Sequence, residues 1–477
     1  MGALGLRGKA WQMSKNADVT RREVVKAAGA VAAVAATANK IEGAPWIQTV
    51  KAANDQLQYA VIGTGGRGLY HIEHWNGLDV GRCVAVCDID DANLAKAQKT
   101  SKDKPKAFKD YREVLAMKEV EAVQIATPLY MHFPITRDAL LAGKHVFCEK
   151  SLVFKPEEIH ALRKLANERP RQVLQVGLQR RSSKFYQMAK DMVDKGTIGK
   201  VTHVYGQWNR RSLGKTWVPP SWRAFRKYSG GLTAELASHQ VDVADWMIGH
   251  HPEFVTGVGS IDVYKDGRDV YDNIYLIFSY PGGSKLMYSS ISTNNHLPLF
   301  GSSRTEFGEM ICGTEGTIHI TVGTDNEPAT AIWFPEPSPK AVAAAKGGKE
   351  KSTTASASLL STGKGGKGLP ILFDRDRVGQ NDGFIEKEMK FARQWLYRKG
   401  VMVPEEDKNP VDVQLEEFVE NCRTGKRPRA DLEVGLTDSA NVILANLAMD
   451  EGRRVFYEEI NKMGTGPAGA AAPAKKA

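Results

Sequence analysis

One short stretch constrains this chain more than any other: a glycine-rich turn set between an apolar run and an acid. Leu57-Gln58-Tyr59-Ala60-Val61-Ile62 reads as a strand, and Gly63-Thr64-Gly65-Gly66-Arg67-Gly68 follows at once, fitting G-x-G-x-x-G. Helix-compatible sequence continues to about Asp79. Cys83 to Cys87 then reads as a buried strand ending at Asp88, twenty positions after Gly68. A lone glycine fingerprint is weak, but the strand before it, the helix after it and the acid at that spacing make it specific. Gly63 permits the tight turn, Gly65 and Gly66 keep the backbone open to a pyrophosphate, and Gly68 lets helix and strand pack closely. The helix start, with Arg67, offers free N–H groups and a partial positive charge to the phosphates. Asp88 accepts hydrogen bonds from ribose hydroxyls. With Asp90 and Asp91 close behind it would repel a 2′-phosphate, which favours NAD over NADP.

The alternation continues and predicts an α/β Rossmann domain, a doubly wound parallel sheet over 57–180. Helices are expected at 91–100, 111–117, 134–142 and 156–167. Strands are expected at 120–126, closing on Thr127-Pro128, at His145–Cys148, ending in Glu149-Lys150, and at 172–176. Ligands bind beyond the carboxyl ends of such strands, where all these polar residues fall.

After Ser182 the pattern changes. One helix (184–195) precedes strand-like segments near 201–209, 254–264, 272–280, 284–292 and 316–322, joined by turns such as Pro281-Gly282-Gly283. These predict an α+β C-terminal domain with an open, mostly antiparallel sheet, over 181–335 and 369–460. Its helices near 412–421 and 436–452 are expected to pack back on the first domain. Residues 338–368, rich in Lys, Gly, Ala and Ser, read as a flexible insertion, and 461–477 as a disordered tail.

Charge refines the picture. The net charge is +10, yet residues 1–44, 338–368 and the last lysines carry +11 between them, leaving about −1 elsewhere. A basic face for nucleic acid is therefore not implied. Five cysteines (Cys83, Cys87, Cys148, Cys312, Cys422) show no metal or disulfide spacing and read as buried apolar groups, so no metal is expected.

The N-terminus reads as an export signal. Arg21-Arg22 precedes a mildly apolar Ala/Val stretch and a small-x-small end at Ala36-Thr37-Ala38, the twin-arginine pattern. That route carries folded proteins with cofactor in place. It predicts an exported, periplasmic protein, the twin-arginine machinery as a partner, and no stable membrane anchor after signal removal. No apolar run reaches the roughly 18–20 residues of a membrane span.

In order along the chain stand the glycine loop with Asp88, Ala126-Thr127-Pro128 followed by His132, Glu149-Lys150, and the run Gly230-Gly231 to His239 and Asp242. This order resembles the glucose–fructose oxidoreductase / inositol dehydrogenase / rhizopine catabolism (Gfo/Idh/MocA) family, over roughly 57–330 and 410–455. The resemblance implies nicotinamide-dependent hydride transfer at a carbohydrate or polyol carbon, and oligomers formed through the second domain's sheet. It implies cofactor contacts from Thr127, Pro128, His132, Glu149 and Lys150. Lys150 stands at the lysine of the family's Glu-Lys-Pro motif, with Ser151 for the proline. His239 stands at the family's catalytic histidine. Glu235 stands where many members have Asp, and Ala237 where Gly is common.

The chemistry asks for these groups independently. Oxidising a secondary alcohol leaves a proton for a base, and a histidine can take it. An ammonium stabilises the developing alkoxide, and a carboxylate can orient the imidazole. His239, Lys150 and Glu235 are thus the catalytic candidates, with the proton acceptor left open between Lys150 and His239. Arg181, Trp208, Asn209, Arg210 and Asp242 are the substrate-binding candidates. Outside the cytoplasm free NAD should be scarce, so retention and recycling of the cofactor are expected. Two alternatives remain: a redox-neutral keto-sugar lyase, glycosidase or epimerase, and a non-catalytic NAD or carbohydrate binder.

Overall fold

The computed structural model describes residues 56–210, 212–294, 307–321, 329–336, 348–349, 360–361, 368–399 and 404–463. The twin-arginine segment, nearly all of the 338–368 insertion and the tail from 464 lie outside these residues.

The first domain is built from β1 (Leu57–Ile62), α1 (Gly66–Asn76), β2 (Gly81–Cys87), α2 (Asp91–Thr100), β3 (Lys106–Phe108), α3 (Tyr111–Ala116), β4 (Ala122–Ile125), α4 (His132–Leu141), β5 (His145–Cys148), α5 (Pro156–Asn167) and β6 (Leu174–Val176). All six strands are parallel, in the order β3-β2-β1-β4-β5-β6. Both faces are covered, which is why the strands read as apolar runs. In β1, Leu57, Tyr59 and Val61 enter one core cluster while Ala60 and Ile62 enter another.

The first of these clusters is completed from the far end of the chain. Val411, Leu415, Phe418 and Val419 of α9 (Pro410–Thr424, named here ahead of α6 to α8) pack among the β1 residues and Trp75. His74–Asp412 at 2.7 Å and Arg423–Glu121 at 2.6 Å pin the same helix.

The chain doubles back at the switch point between β1 and β4, and glycine makes this possible. Gly63 has φ +86°, and a Cβ there would lie 2.7 Å from the Ala126 and Thr127 backbone. A Cβ on Gly68 would lie 1.9 Å from the Gly63 carbonyl oxygen.

The second domain contributes α6 (Lys184–Asp194), β7 (Val201–Trp208), α7 (Ser238–Ile248), β8 (Phe254–Ser260), β9 (Asn273–Ser279), β10 (Lys285–Ile291), β11 (Phe307–Gly313), β12 (Gly316–Thr321) and β13 (Thr330–Pro335). A two-residue ladder, β14 (Gly348–Lys349) with β15 (Leu360–Ser361), precedes β16 (Leu369–Pro370). Then come α8 (Phe384–Lys399), α9, α10 (Leu432–Glu451), β17 (Val455–Phe456) and α11 (Glu459–Lys462). The sheet order is β16-β13-β12-β11-β7-β10-β9-β8-β17, with only the β7–β10 pair parallel. Val204, Leu286, Ile311 and Ile318 fill its covered face together with Val241 and Ala244 of α7.

Several features depart from expectation, among them the strands β3, β13, β16 and β17 and the β14–β15 ladder within the expected flexible insertion. β8 stops at Ser260 rather than 264, because the Asp272 carboxylate accepts from the Asp262, Val263 and Tyr264 N–H groups and turns the chain away. β11 was unexpected; its fully buried Glu309 breaks the apolar alternation. α8 was also unexpected. It directs Tyr397, Arg393 and Gln394 toward Asp376, while Phe384, Ile385, Met389, Phe391 and Trp395 face outward. Among the described residues no helix is long and apolar enough to cross a membrane.

Gly68→Ala should lower unfolding stability by about 1–3 kcal/mol, read from the denaturant midpoint. Gly66→Ala, whose Cβ would meet nothing within 4 Å, should leave that midpoint unchanged.

Candidate active site

The glycine turn, Asp88, Thr127-Pro128 and Glu149-Lys150 follow the carboxyl ends of β1, β2, β4 and β5. They therefore share one end of the parallel sheet, on both sides of the β1/β4 switch point. Asp88 is fixed there: its Oδ2 accepts from Thr64 N at 2.7 Å, and its Oδ1 from Asp90 N at 3.0 Å. A Cβ on Gly65 would meet only Asn93 Nδ2, at 4.0 Å, and one on Gly66 would meet nothing, so the cradle at the start of α1 is open. Thr127 Oγ1 is buried without a hydrogen-bond partner. An open turn at a helix N-terminus, an acid at the second strand end and a spare hydroxyl fit a dinucleotide.

Glu149 and His132, expected at the cofactor wall, each have buried protein partners. Glu149 Oε1 accepts from Arg67 Nε at 2.8 Å and lies 2.6 Å from His71 Nε2, tying α1 to the end of β5. Burial raises the Glu149 pKa, but Arg67 and His71 outweigh it and hold the carboxyl well below its ordinary value. Burial and Arg67 push His71 down to about 4, so neutral imidazole donates to the carboxylate. A Cβ on Gly177 would strike that carboxylate at 2.8 Å. His132 is buried, with its ring nitrogens 2.8 Å from the Ser151 carbonyl oxygen and 3.0 Å from that of Thr127. It braces two strand-end loops from beneath.

The opposite wall comes from the run beginning at Gly230. Gly231 has φ +68°, and the chain then forms a widened π-type turn, Thr233–Ala237, before α7. Such turns are rare and recur at functional sites. Two of its carbonyls accept from one lysine: Lys150 Nζ donates to Ala234 O at 3.0 Å and Glu235 O at 2.6 Å. The Lys150–Ser151 peptide bond is cis. His239 is buried at the start of α7, its ring stacked on Trp208 with centroids 5.7 Å apart. Its Nδ1 has no hydrogen-bond partner. Burial, then Lys150 and Arg180, hold His239 well below its ordinary pKa. Burial also lowers Lys150, against the raising influence of Glu235, Glu149 and Asp438. Both groups are thereby pushed toward their proton-accepting forms.

Several expected roles are redistributed. The Glu235 carboxylate does not orient His239; it accepts from Arg223 Nε at 2.9 Å. Arg181 and Asp242 form a bidentate pair, Nε to Oδ1 at 2.9 Å and Nη2 to Oδ1 at 2.7 Å, and are spent on each other beneath the site. Asn209 is buried, its Oδ1 accepting from Ile291 N at 3.0 Å where β7 and β10 end. The Arg210 guanidinium lies over Trp217, 5.7 Å from the ring centroid. Trp208 alone of the five substrate candidates lines a cavity with His239, together with Gln179 and Arg180. Gln179 Oε1 there is buried without a partner.

Arg180 was missed. Its guanidinium lies 5.9 Å from the Trp208 ring and is paired with buried Glu309, which Tyr186 Oη also contacts. The short helical turn Gln179–Ser182 sends Arg180 and Arg181 to different partners, and adjacency in sequence holds no signal for which goes where.

Beneath the site three carboxyls cluster. Asp245 accepts from Tyr280 Oη and Asn441 Nδ2, each at 2.7 Å. Burial, reinforced by the Asp242 charge, pushes it up from 3.8 to about 8 against the Tyr280 hydrogen bond. Asp438 on α10 is raised too, by burial and then by Asp242, and neither of its oxygens has a hydrogen-bond partner. Among the described residues no group of His, Cys, Asp and Glu could hold a metal ion.

Comparison with known proteins agrees with this architecture. Residues 57–178 match the profile described as "Oxidoreductase family, NAD-binding Rossmann fold" of GFO_IDH_MocA, and 186–319 match the GFO/IDH/MocA C-terminal domain. The chain therefore belongs to the Gfo/Idh/MocA family and carries its NAD-binding domain. It is 33% identical over 198 residues to an uncharacterized oxidoreductase of Synechocystis sp., covering 40% of this chain and 52% of that one. It is 28% identical over 268 residues to an inositol 2-dehydrogenase of Rubrobacter xylanophilus (56% and 72%). It is 35% identical over 150 residues to a glycosyl hydrolase family 109 protein of Shewanella sp. (28% and 33%). The match thus spans about half the length of the first relative and a third of the last. A levoglucosan dehydrogenase in complex with NADH and levoglucosan shares the fold, with TM-score 0.61 at 18% identity, covering 84% of this chain and 99% of that one.

The Asp245 shift has a testable sign. An acid whose folded pKa lies above its unfolded value loses stability as pH rises between the two, here from 3.8 to about 8. Asp245→Asn should therefore flatten the fall in melting temperature between pH 5 and pH 8.

Proposed function

We propose that this protein is an NAD-dependent oxidoreductase acting on a hydroxyl-bearing carbon of a sugar, glycoside or polyol. The observation that carries the proposal is the bonding of Lys150 Nζ, beyond the end of β5, to the Ala234 and Glu235 carbonyls of the turn that leads into His239, with both groups biased toward proton acceptance. The named inositol dehydrogenase relative supports the substrate class.

The glycine turn and the start of α1 would hold the pyrophosphate and Asp88 the ribose of NAD, which would supply the hydride acceptor. Lys150 and His239 bracket the substrate hydroxyl: one takes its proton, and the ammonium form of Lys150 stabilises developing alkoxide charge. Trp208 offers an apolar face to a sugar ring, and Gln179 Oε1 an acceptor to its hydroxyls. Glu149 and His132 act through others, by fixing the loops that carry Arg67, Thr127 and Lys150.

Export through the twin-arginine route, with NAD retained and recycled on the enzyme, is part of the same proposal. Arg21-Arg22 and the scarcity of external NAD support it. The likeness to a glycosyl hydrolase family 109 protein favours one second reading, a redox-neutral cycle in which bound NAD takes and returns a hydride.

The purified protein, denatured, should release NAD. His239→Asn and Lys150→Met should each lower sugar-dependent reduction of bound NAD by about 10²–10⁴-fold while retaining the nucleotide. Unchanged rates in both would reject the assignment, and bond cleavage with no net NADH would select the redox-neutral cycle.

Self-association is proposed through the open sheet face, where Val258, Tyr275 and Ile277 are exposed. Large apolar faces of this kind are rarely left to solvent. Ile277→Lys should lower the sedimentation mass from that of an oligomer to that of one chain. A single-chain mass for the parent protein would dispose of the idea.

A further inference from the structure

The loop between β7 and α7 touches both domains, and one of its side chains binds the Glu235 carboxylate. A short helical turn, Trp222–Ala224, carries Arg223 with its guanidinium 4.3 Å from the Trp222 ring centroid. The turn is braced on both sides. Asp269 N donates to Ala224 O at 3.1 Å from the second domain. Tyr130 N, two residues beyond Pro128, donates to Tyr228 O at 3.4 Å from the first, and the two tyrosine rings lie 5.2 Å apart. Arg223 is thus held in place before any ligand arrives, with its Nε 2.9 Å from Glu235 Oε2.

We propose that Arg223 is a positioning residue for Lys150: it captures the Glu235 carboxylate and so leaves the lysine amine held by main-chain carbonyls alone. The inference rests on Lys150 belonging to the reacting site, as proposed above.

The charged neighbours of Lys150 decide the argument. They are Glu149 beside it, Glu235 on the widened turn, Asp438 from α10, Arg67 from α1 and His239 from α7. Glu149 is already taken by Arg67 and His71. Burial favours the neutral form of Asp438. His239 is neutral for the same reason. Glu235 is therefore the remaining carboxylate able to pair with the Lys150 ammonium. Its main-chain carbonyl does accept from Nζ, at 2.6 Å, while its side chain is directed to Arg223. The pair is only partly shielded, with side-chain exposures of 29% for Arg223 and 15% for Glu235.

Without Arg223 the Glu235 carboxylate would be drawn to the ammonium and keep it charged. Without the Glu235 charge the amine would give up its proton more readily. The order of these effects makes Arg223 act through Glu235 and not independently.

The test is the pH dependence of acylation of Lys150 in the full chain by a small amine-reactive reagent, read on the Lys150 peptide by mass spectrometry. It needs no substrate. Arg223→Met should raise the midpoint by about one pH unit, the size of effect expected of one nearby opposite charge. Glu235→Gln should lower it. The double variant should match Glu235→Gln alone, and Arg223→Lys should stay near the parent. A folded Arg223→Met with an unmoved midpoint would overturn the proposal, as would a double variant whose shift is the sum of the two. If Arg223→Met does not fold, an unmoved midpoint in Glu235→Gln overturns it equally. Shifted midpoints in a protein that oxidises no sugar would sink the proposed activity and leave this inference standing.

Discussion

The hydrogen bonds from the Lys150 ammonium to two carbonyls of the second domain hold the site together. They join the end of β5 to a helix-start turn some eighty residues away, so the two walls of the crevice share one side chain. Those carbonyls belong to the widened turn at 233–237, which runs directly into α7 and His239.

Around this link the protein buries charge in matched sets. Arg67 and His71 enclose Glu149, Arg180 and Tyr186 enclose Glu309, and Arg181 pairs with Asp242. Buried pairs add little net stability against apolar packing, but losing one partner is strongly destabilising. Here they fix direction. Each holds a buried carboxylate against a named partner rather than leaving it unpaired.

Much of this was legible in the chain itself. Glycine at 63 and 68 is demanded by close backbone approach, a local condition that leaves a local signature. So do the parallel strands, as apolar runs closed by polar residues, and the motif order that places Lys150 and His239. Partner choice was not legible. Glu235 was expected to serve His239, yet its side chain is long enough to reach Arg223, and that arginine sits in a loop with no periodicity to mark it. Arg180 and Arg181 stand side by side with nothing local to tell them apart. β11 was hidden by Glu309, whose partners arrive from residues 180 and 186, and α8 by its outward apolar face.

Sequence alone therefore determined the nucleotide-binding architecture and the fold class, because these depend on steric limits and periodicities within a few residues. Only the tertiary structure decided which buried charge meets which, that Glu149 and His132 brace loops, and that Arg223 reaches the site. Those outcomes depend on distances between segments far apart in the chain, and a linear pattern of residue types does not encode them one pair at a time.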